Sequence, residues 1–167
     1  MIMAKTTLTA NEMLVIAIET ERKQYAFYEA VAPIRSKDVL RAFLKFAMHG
    51  REHEHKFRDM LTDVGGYSPT KSCVNFAYLQ GVADSSVYAG HRLGEQAMKT
   101  ALTDIEAVEA AAASEKDSIL FYSEARDLVP QKDIAVVDEI ISQAKNHVSE
   151  LSALLNKLRE APALPNG

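Results

Sequence analysis

Apolar residues recur at steps of three and four along four long stretches without internal proline. That is the period of a helix with one buried face. The first stretch covers about 10 to 32. Thr9 and Glu12 have the form of a capping box, with Thr9 as N-cap and Glu12 reaching back. Leu14, Ile18, Glu21, Tyr25 and Tyr28 follow one face, and Pro33 ends the helix or falls just beyond it. The second stretch covers about 37 to 63, with Ser36 as N-cap and Gly65-Gly66 as its stop. Its inward stripe is Phe43, Phe46, Gly50, His53, Phe57 and Met60. The third covers about 95 to 128 and ends before Pro130, with Ile105, Val108, Ala112, Glu115, Ile119 and Tyr122 inward. The fourth covers about 132 to 160 and turns Val137, Ile140, Ala144, His147, Leu151, Leu154 and Leu158 to the core.

Residues 67 to 94 break this pattern with Pro69, Gly81, Gly90 and Gly94. The apolar piece Phe76-Ala77-Tyr78-Leu79 predicts one short helix there, over about 72 to 83. The tail APALPNG, 161 to 167, reads as frayed. Two short-turned hairpins joined by one long crossover predict a single all-α domain over 1 to 167, a four-helix bundle of the ferritin-like kind.

Composition narrows the class. The 167 residues suit one domain, and 47% hydrophobic with 25% charged residues is ordinary for a globular chain. The longest purely apolar run, Met13 to Ile18, is too short to span a bilayer, and MIMAKTTLTA lacks a leader's apolar core, so no membrane and no secretory route are expected. A single Cys73 excludes an internal disulfide and any four-cysteine metal site, and fits a reducing cytoplasm. A net charge of −4 with mixed signs argues against nucleic acid as a partner.

An internal repeat marks the candidate chemistry. ETERKQYAFYEA (19–30) aligns with ASEKDSILFYSE (113–124), pairing Glu21 with Glu115, Phe27 with Phe121 and Tyr28 with Tyr122 at an offset of 94 positions (115 − 21). The same offset carries His53 to His147, Gly50 to Ala144 and Phe57 to Leu151. Glu21 and Glu115 thus lie on stripes that otherwise face the core. A lone buried carboxylate costs several kcal/mol or more, on the order of a lost ion pair. Protonation, a cationic partner or a metal ion relieves that cost. Carboxylate with imidazole is a ligand set for iron, manganese, zinc or copper. The competing reading pairs each Glu with a His or a buried Tyr.

At these residues the sequence resembles the rubrerythrin-like branch of the ferritin-like superfamily. The likeness covers nearly the whole chain. It is carried by E-x6-Y at Glu21–Tyr28, REHEHKF (51–57), SEKDSILFYSEARDLVP (114–130) and VVDEIISQAKNHVSEL (136–151). The resemblance implies a bundle holding two irons, with one Glu and one Glu-x-x-His motif from each half. Glu21 and Glu115 match the lone glutamates, and His53 and His147 match the motif histidines. The motif glutamates are absent, replaced by Gly50 and Ala144. Four carboxylates balance two divalent ions, whereas the remaining two balance one. Three outcomes stay open: one ion on Glu21, His53, Glu115 and His147, of the kind zinc accepts; two ions completed by water; or no metal, with two buried Glu–His pairs.

Substitute ligands are few. Glu54, about 40° around the helix from Gly50, aims a carboxylate toward the vacated space or else faces solvent. Glu52 points elsewhere. His49 lies one turn before His53 and either joins it on a metal or stays at the surface. His55 reads as exposed, Glu109 as a surface pair, and His91 falls in the crossover. Tyr28 and Tyr122 either donate hydrogen bonds near the site or fill the core.

By resemblance, the chain is expected to be an iron-dependent oxidoreductase acting on peroxide or oxygen. Lacking a rubredoxin-like four-cysteine centre, it would need an external electron donor. A homodimer is expected on the same ground. The alternative is a non-catalytic ferritin-like scaffold that binds partners through its exterior and the 67–94 segment.

Overall fold

The computed structural model describes residues 9–66 and 103–161. Four helices make up these residues: α1 (Ala10–Val31), α2 (Lys37–Asp63), α3 (Asp104–Ala125) and α4 (Ile134–Glu160). Short 3-10 turns at Ala32–Ile34, Arg126–Leu128 and Gln131–Asp133 close the two hairpins. The fold is an all-α four-helix bundle of ferritin-like architecture, with a long crossover between α2 and α3. The expected short helix at 72–83, Cys73 and His91 lie outside the described residues.

Local chemistry sets the helix ends. At α1 the Thr9–Glu12 capping box is present in both directions. Gly65 (φ 93°) and Gly66 (φ 73°) take left-handed conformations that end α2, and Gly66 N–H returns to the Leu61 carbonyl at 2.8 Å. Asn11 Nδ2 donates to the Val64 carbonyl at 3.3 Å and to that of Gly66, so the start of α1 caps the end of α2.

The third helix departs from the expectation of a start near 95. Thr103 is extended (φ −68°, ψ 163°), and with Glu106 it forms a second reciprocal capping box that fixes the first turn at Asp104. The repeat offset carries this box, because 94 added to Thr9 and Glu12 gives Thr103 and Glu106. Its inward face is also rotated. Ala111 and Ser118 are buried, while Ala112 and Ile119 are only half-buried.

Ser36 N–H meets Asp104 at one end of the bundle, and Lys132 meets Asp63 at the other. Helices α2 and α3 therefore start at the same end, and the crossover returns from one end to the other. Each hairpin packs internally, α1 on α2 and α3 on α4. The hairpins meet through α1 against α3 and α2 against α4. Two apolar clusters fill the core. One centres on Phe27, Val39, Phe43, Phe46, Val108 and Leu151, the other on Met13, Leu14, Phe57, Val137 and Ile140. A polar layer separates them.

Candidate functional site

That layer holds the four residues expected from sequence. Glu21 and Glu115 are 3% exposed, His53 and His147 4%. They line one cavity of about 10 Å³, roughly one water, together with Gln24, Tyr28, Ser118, Tyr122, Gly50 and Ala144. The cavity lies where α1, α2, α3 and α4 each place one of the four side chains.

The contacts obey the repeat. His53 Nδ1 lies 3.4 Å from Glu21 Oε1, and His147 Nδ1 lies 3.2 Å from Glu115 Oε1. Tyr28 donates its hydroxyl to Glu115 Oε1 at 2.6 Å, and Tyr122 donates to Glu21 Oε1 at 2.6 Å. Each tyrosine serves the carboxylate of the opposite half. Ser118 donates to Gln24 Oε1 at 3.3 Å, and the offset maps Gln24 onto Ser118, so this contact lies on the pseudo-twofold axis. Gln24 Nε2 is buried without a hydrogen-bond partner among the described residues.

The outer ring nitrogens are also held. His53 Nε2 meets Gln143 Oε1 at 2.8 Å, and His147 Nε2 meets His49 Nδ1 at 2.8 Å. His49 and His147 have nearly parallel rings (12°) with centroids 5.0 Å apart, the arrangement of an edge-to-edge hydrogen bond rather than face-to-face stacking. The helical pattern leaves His49 at the surface or beside His53. In the fold it tethers His147 instead. The stripes do not single out Gln143, but the repeat does, since 94 added to 49 gives 143.

Electrostatics follow from burial and pairing. Burial, then the carboxylate each one faces, pushes the phenols of Tyr28 and Tyr122 well above their ordinary range. Burial opposes a charge on His53, but hydrogen bonding to Glu21, the charge of Glu21 and the Gln143 acceptor outweigh it and raise its pKa. His49 is held below its ordinary value by burial and then by His147.

The remaining candidates sit elsewhere. Glu54 faces the outer α1–α2 seam, where it accepts from Arg22 at 3.1 Å, Tyr25 at 2.8 Å and Arg58 at 2.7 Å. These three bonds engage its carboxylate away from the cavity. His55 is exposed beside Asp59, and Glu109 pairs with Arg159 at the surface. Glu52 is exposed.

The donor spacing bears on metal binding. Two ligands sharing one divalent ion at roughly 2.0–2.2 Å each sit about 3–3.5 Å apart. The Nδ1–Oε1 separations in both halves match that spacing. The outer nitrogens are anchored, as those of metal-bound histidines generally are. Among the described residues, however, no three His, Cys, Asp or Glu converge into one metal-holding cluster. The four ligands stand as two pairs. A Cβ on Gly50 would lie 3.4 Å from Glu21 Oε2, so position 50 faces the site, but it would also lie 3.2 Å from Tyr25 Cβ. The donors fit a divalent ion on a Glu–His pair and lack the two glutamates of the family's two-iron centre.

No family model, curated protein or solved structure matches the chain. No helix among the described residues is long and apolar enough to cross a membrane.

Proposed function

We propose that the protein is a metal-binding ferritin-like bundle that holds a divalent transition-metal ion with Glu21, His53, Glu115 and His147. One observation carries this reading: both buried imidazoles turn Nδ1 to a carboxylate at the cavity while a neighbouring side chain anchors Nε2. Two carboxylates balance one divalent charge. Iron is the metal the resemblance implies, with zinc and manganese compatible with the same donors.

Bound iron would supply electron transfer to peroxide or dioxygen, with the electrons coming from an external donor. The chain's own contribution is narrower. Glu21 and Glu115 provide negative charge in a dry core. Tyr28 and Tyr122 hold those carboxylates in place and keep protons on their own oxygens. The two apolar clusters exclude water from either side.

A second reading has its own support. Each carboxylate already accepts a 2.6 Å bond from a tyrosine and faces an imidazole, which is how a metal-free core satisfies two buried acids. The bundle would then be a scaffold with a vestigial site.

Element-specific metal analysis separates the two. The protein is purified without added metal and then loaded anaerobically with Fe(II) or Zn(II). About one tight ion per chain, lost in Glu21→Ala or His147→Ala, supports the metal site. No uptake, with an unchanged melting temperature in each metal, favours the scaffold.

A further inference from the structure

The repeat is broken at the outer nitrogens of the two histidines. Gln143 Nε2 donates to Glu139 Oε1 at 3.4 Å, and Glu139 pairs with Lys56 at 3.3 Å. A carboxylate only accepts, so the amide NH₂ faces Glu139 and the amide oxygen faces His53. An amide oxygen also only accepts. In its neutral form His53 therefore carries its proton on Nε2, at 2.8 Å from Gln143 Oε1. Its lone pair is left on Nδ1, facing Glu21 Oε1.

The other half has no such constraint. His147 Nε2 meets an imidazole nitrogen of His49, which donates in one tautomer and accepts in the other. The residue one turn before His49 is Lys45, and its ammonium is engaged by Glu150 at 2.6 Å. His49 is half-buried, at the seam between α2 and α4. If His147 donates from Nδ1 to Glu115, its Nε2 accepts from His49. To present a lone pair at Nδ1, both rings must change tautomer together.

We propose that Gln143 is a positioning residue that fixes His53 with its Nδ1 lone pair toward Glu21, making Glu21–His53 the tighter metal-binding half, while His49 leaves His147 free to take either tautomer. The inequality of affinity rests on the metal-binding reading above. The fixed tautomer does not. The two halves thus share a ligand set but differ in readiness. A divalent ion is captured on the Glu21–His53 side first, and ligation by His147 waits on a proton rearrangement through His49.

The test uses the full chain as wild type, Gln143→Leu, Gln143→Glu and His49→Leu, each checked for helix content. Long-range ¹H–¹⁵N spectra of the metal-free protein locate the ring protons in the alkaline range, where the rings are neutral. His53 is expected to carry its proton on Nε2 in wild type and in Gln143→Glu, which keeps an acceptor, and to shift toward Nδ1 in Gln143→Leu. A wild-type proton on Nδ1, or no response to Gln143→Leu, overturns the assignment. Co(II) titration then reads affinity from its visible absorption. Gln143→Leu is expected to weaken binding about 10–100-fold, against under about threefold for His49→Leu. Equal losses overturn the inequality. A wild type that binds no Co(II) removes the metal-binding reading, and with it the unequal affinities, while the ring-proton spectra still decide what Gln143 does.

Discussion

Tyr28 on α1 donates to Glu115 on α3 at 2.6 Å, and the repeat returns the same bond from Tyr122 to Glu21. Each half of the bundle thus stabilises the buried acid of the other. The two hairpins are joined through their chemistry as well as their apolar packing. Removing one hydroxyl leaves a buried carboxylate short of a charge-assisted bond. Tyr28→Phe and Tyr122→Phe should each cost about 1–3 kcal/mol in the metal-free protein. Urea denaturation measures this. A loss below about 0.5 kcal/mol in both would mean that water reaches the carboxylates.

The His53–Glu21 pair gives stability a defined pH dependence. Its folded pKa lies above the ordinary 6.5, so the folded state holds a proton that the unfolded chain releases. The contribution is complete below 6.5 and is lost as pH rises through the folded value. The tyrosines act in the same direction at higher pH, because their folded pKa values lie well above 10.0. Metal-free protein should therefore lose stability from near-neutral pH upward, with a second fall beyond about pH 10. His53→Gln should flatten the first fall and spare the second. Denaturation midpoints measured across that range decide the matter, and an unchanged slope in His53→Gln would assign the dependence to other groups.

Glu54 separates outer-seam stabilisation from metal binding. Its carboxylate gathers Arg22, Arg58 and Tyr25, and the Arg51 guanidinium lies over the Tyr25 ring at 4.6 Å. Glu54→Ala should lower stability by about 1–2 kcal/mol by leaving a partly buried cluster without its acceptor. Metal content should not change. A variant that folds normally and loses its metal would return Glu54 to the ligand set.

Much of this arrangement is legible from sequence because strong signals coincide. All six positions of the α2 stripe, Phe43 to Met60, are buried. A single offset places both Glu–His pairs and both tyrosines in one layer. The start of α3 is harder to read, because the residues before Thr103 continue a helix-compatible composition and mask the capping box. Its face is ambiguous because Ala110 to Ala113 gives a run with no apolar contrast of its own. The outer partners of the histidines are hidden because periodicity locates a side chain on a face but says nothing of the next hydrogen bond. His49 and Gln143 differ in type, so the repeat conceals their equivalent roles. Glu54 turns outward because Arg22 and Arg58 offer it charge there.

Gly50 and Ala144 are equivalent in the repeat but unequal in space. At Gly50 an added Cβ meets Tyr25 Cβ at 3.2 Å, an atom fixed to the α1 backbone, so the helices must part by a few tenths of an ångström. Ala144 already carries its Cβ. Replacing glycine inside a helix gains about 1 kcal/mol of propensity, but overpacking costs about 1–3 kcal/mol. Gly50→Ala should therefore be neutral to destabilising, never stabilising by the full propensity. Gly50→Glu adds a third buried acid beside Glu21 Oε2 and should lower the melting temperature further unless metal is supplied. Ala144→Glu should be the milder change. With both glutamates present, metal analysis should rise toward two ions per chain and Fe(II) or Zn(II) should restore the lost stability, because a second divalent charge neutralises the added carboxylates. A double variant that folds but takes up no additional metal would show that positions 50 and 144 do not deliver their side chains to the site.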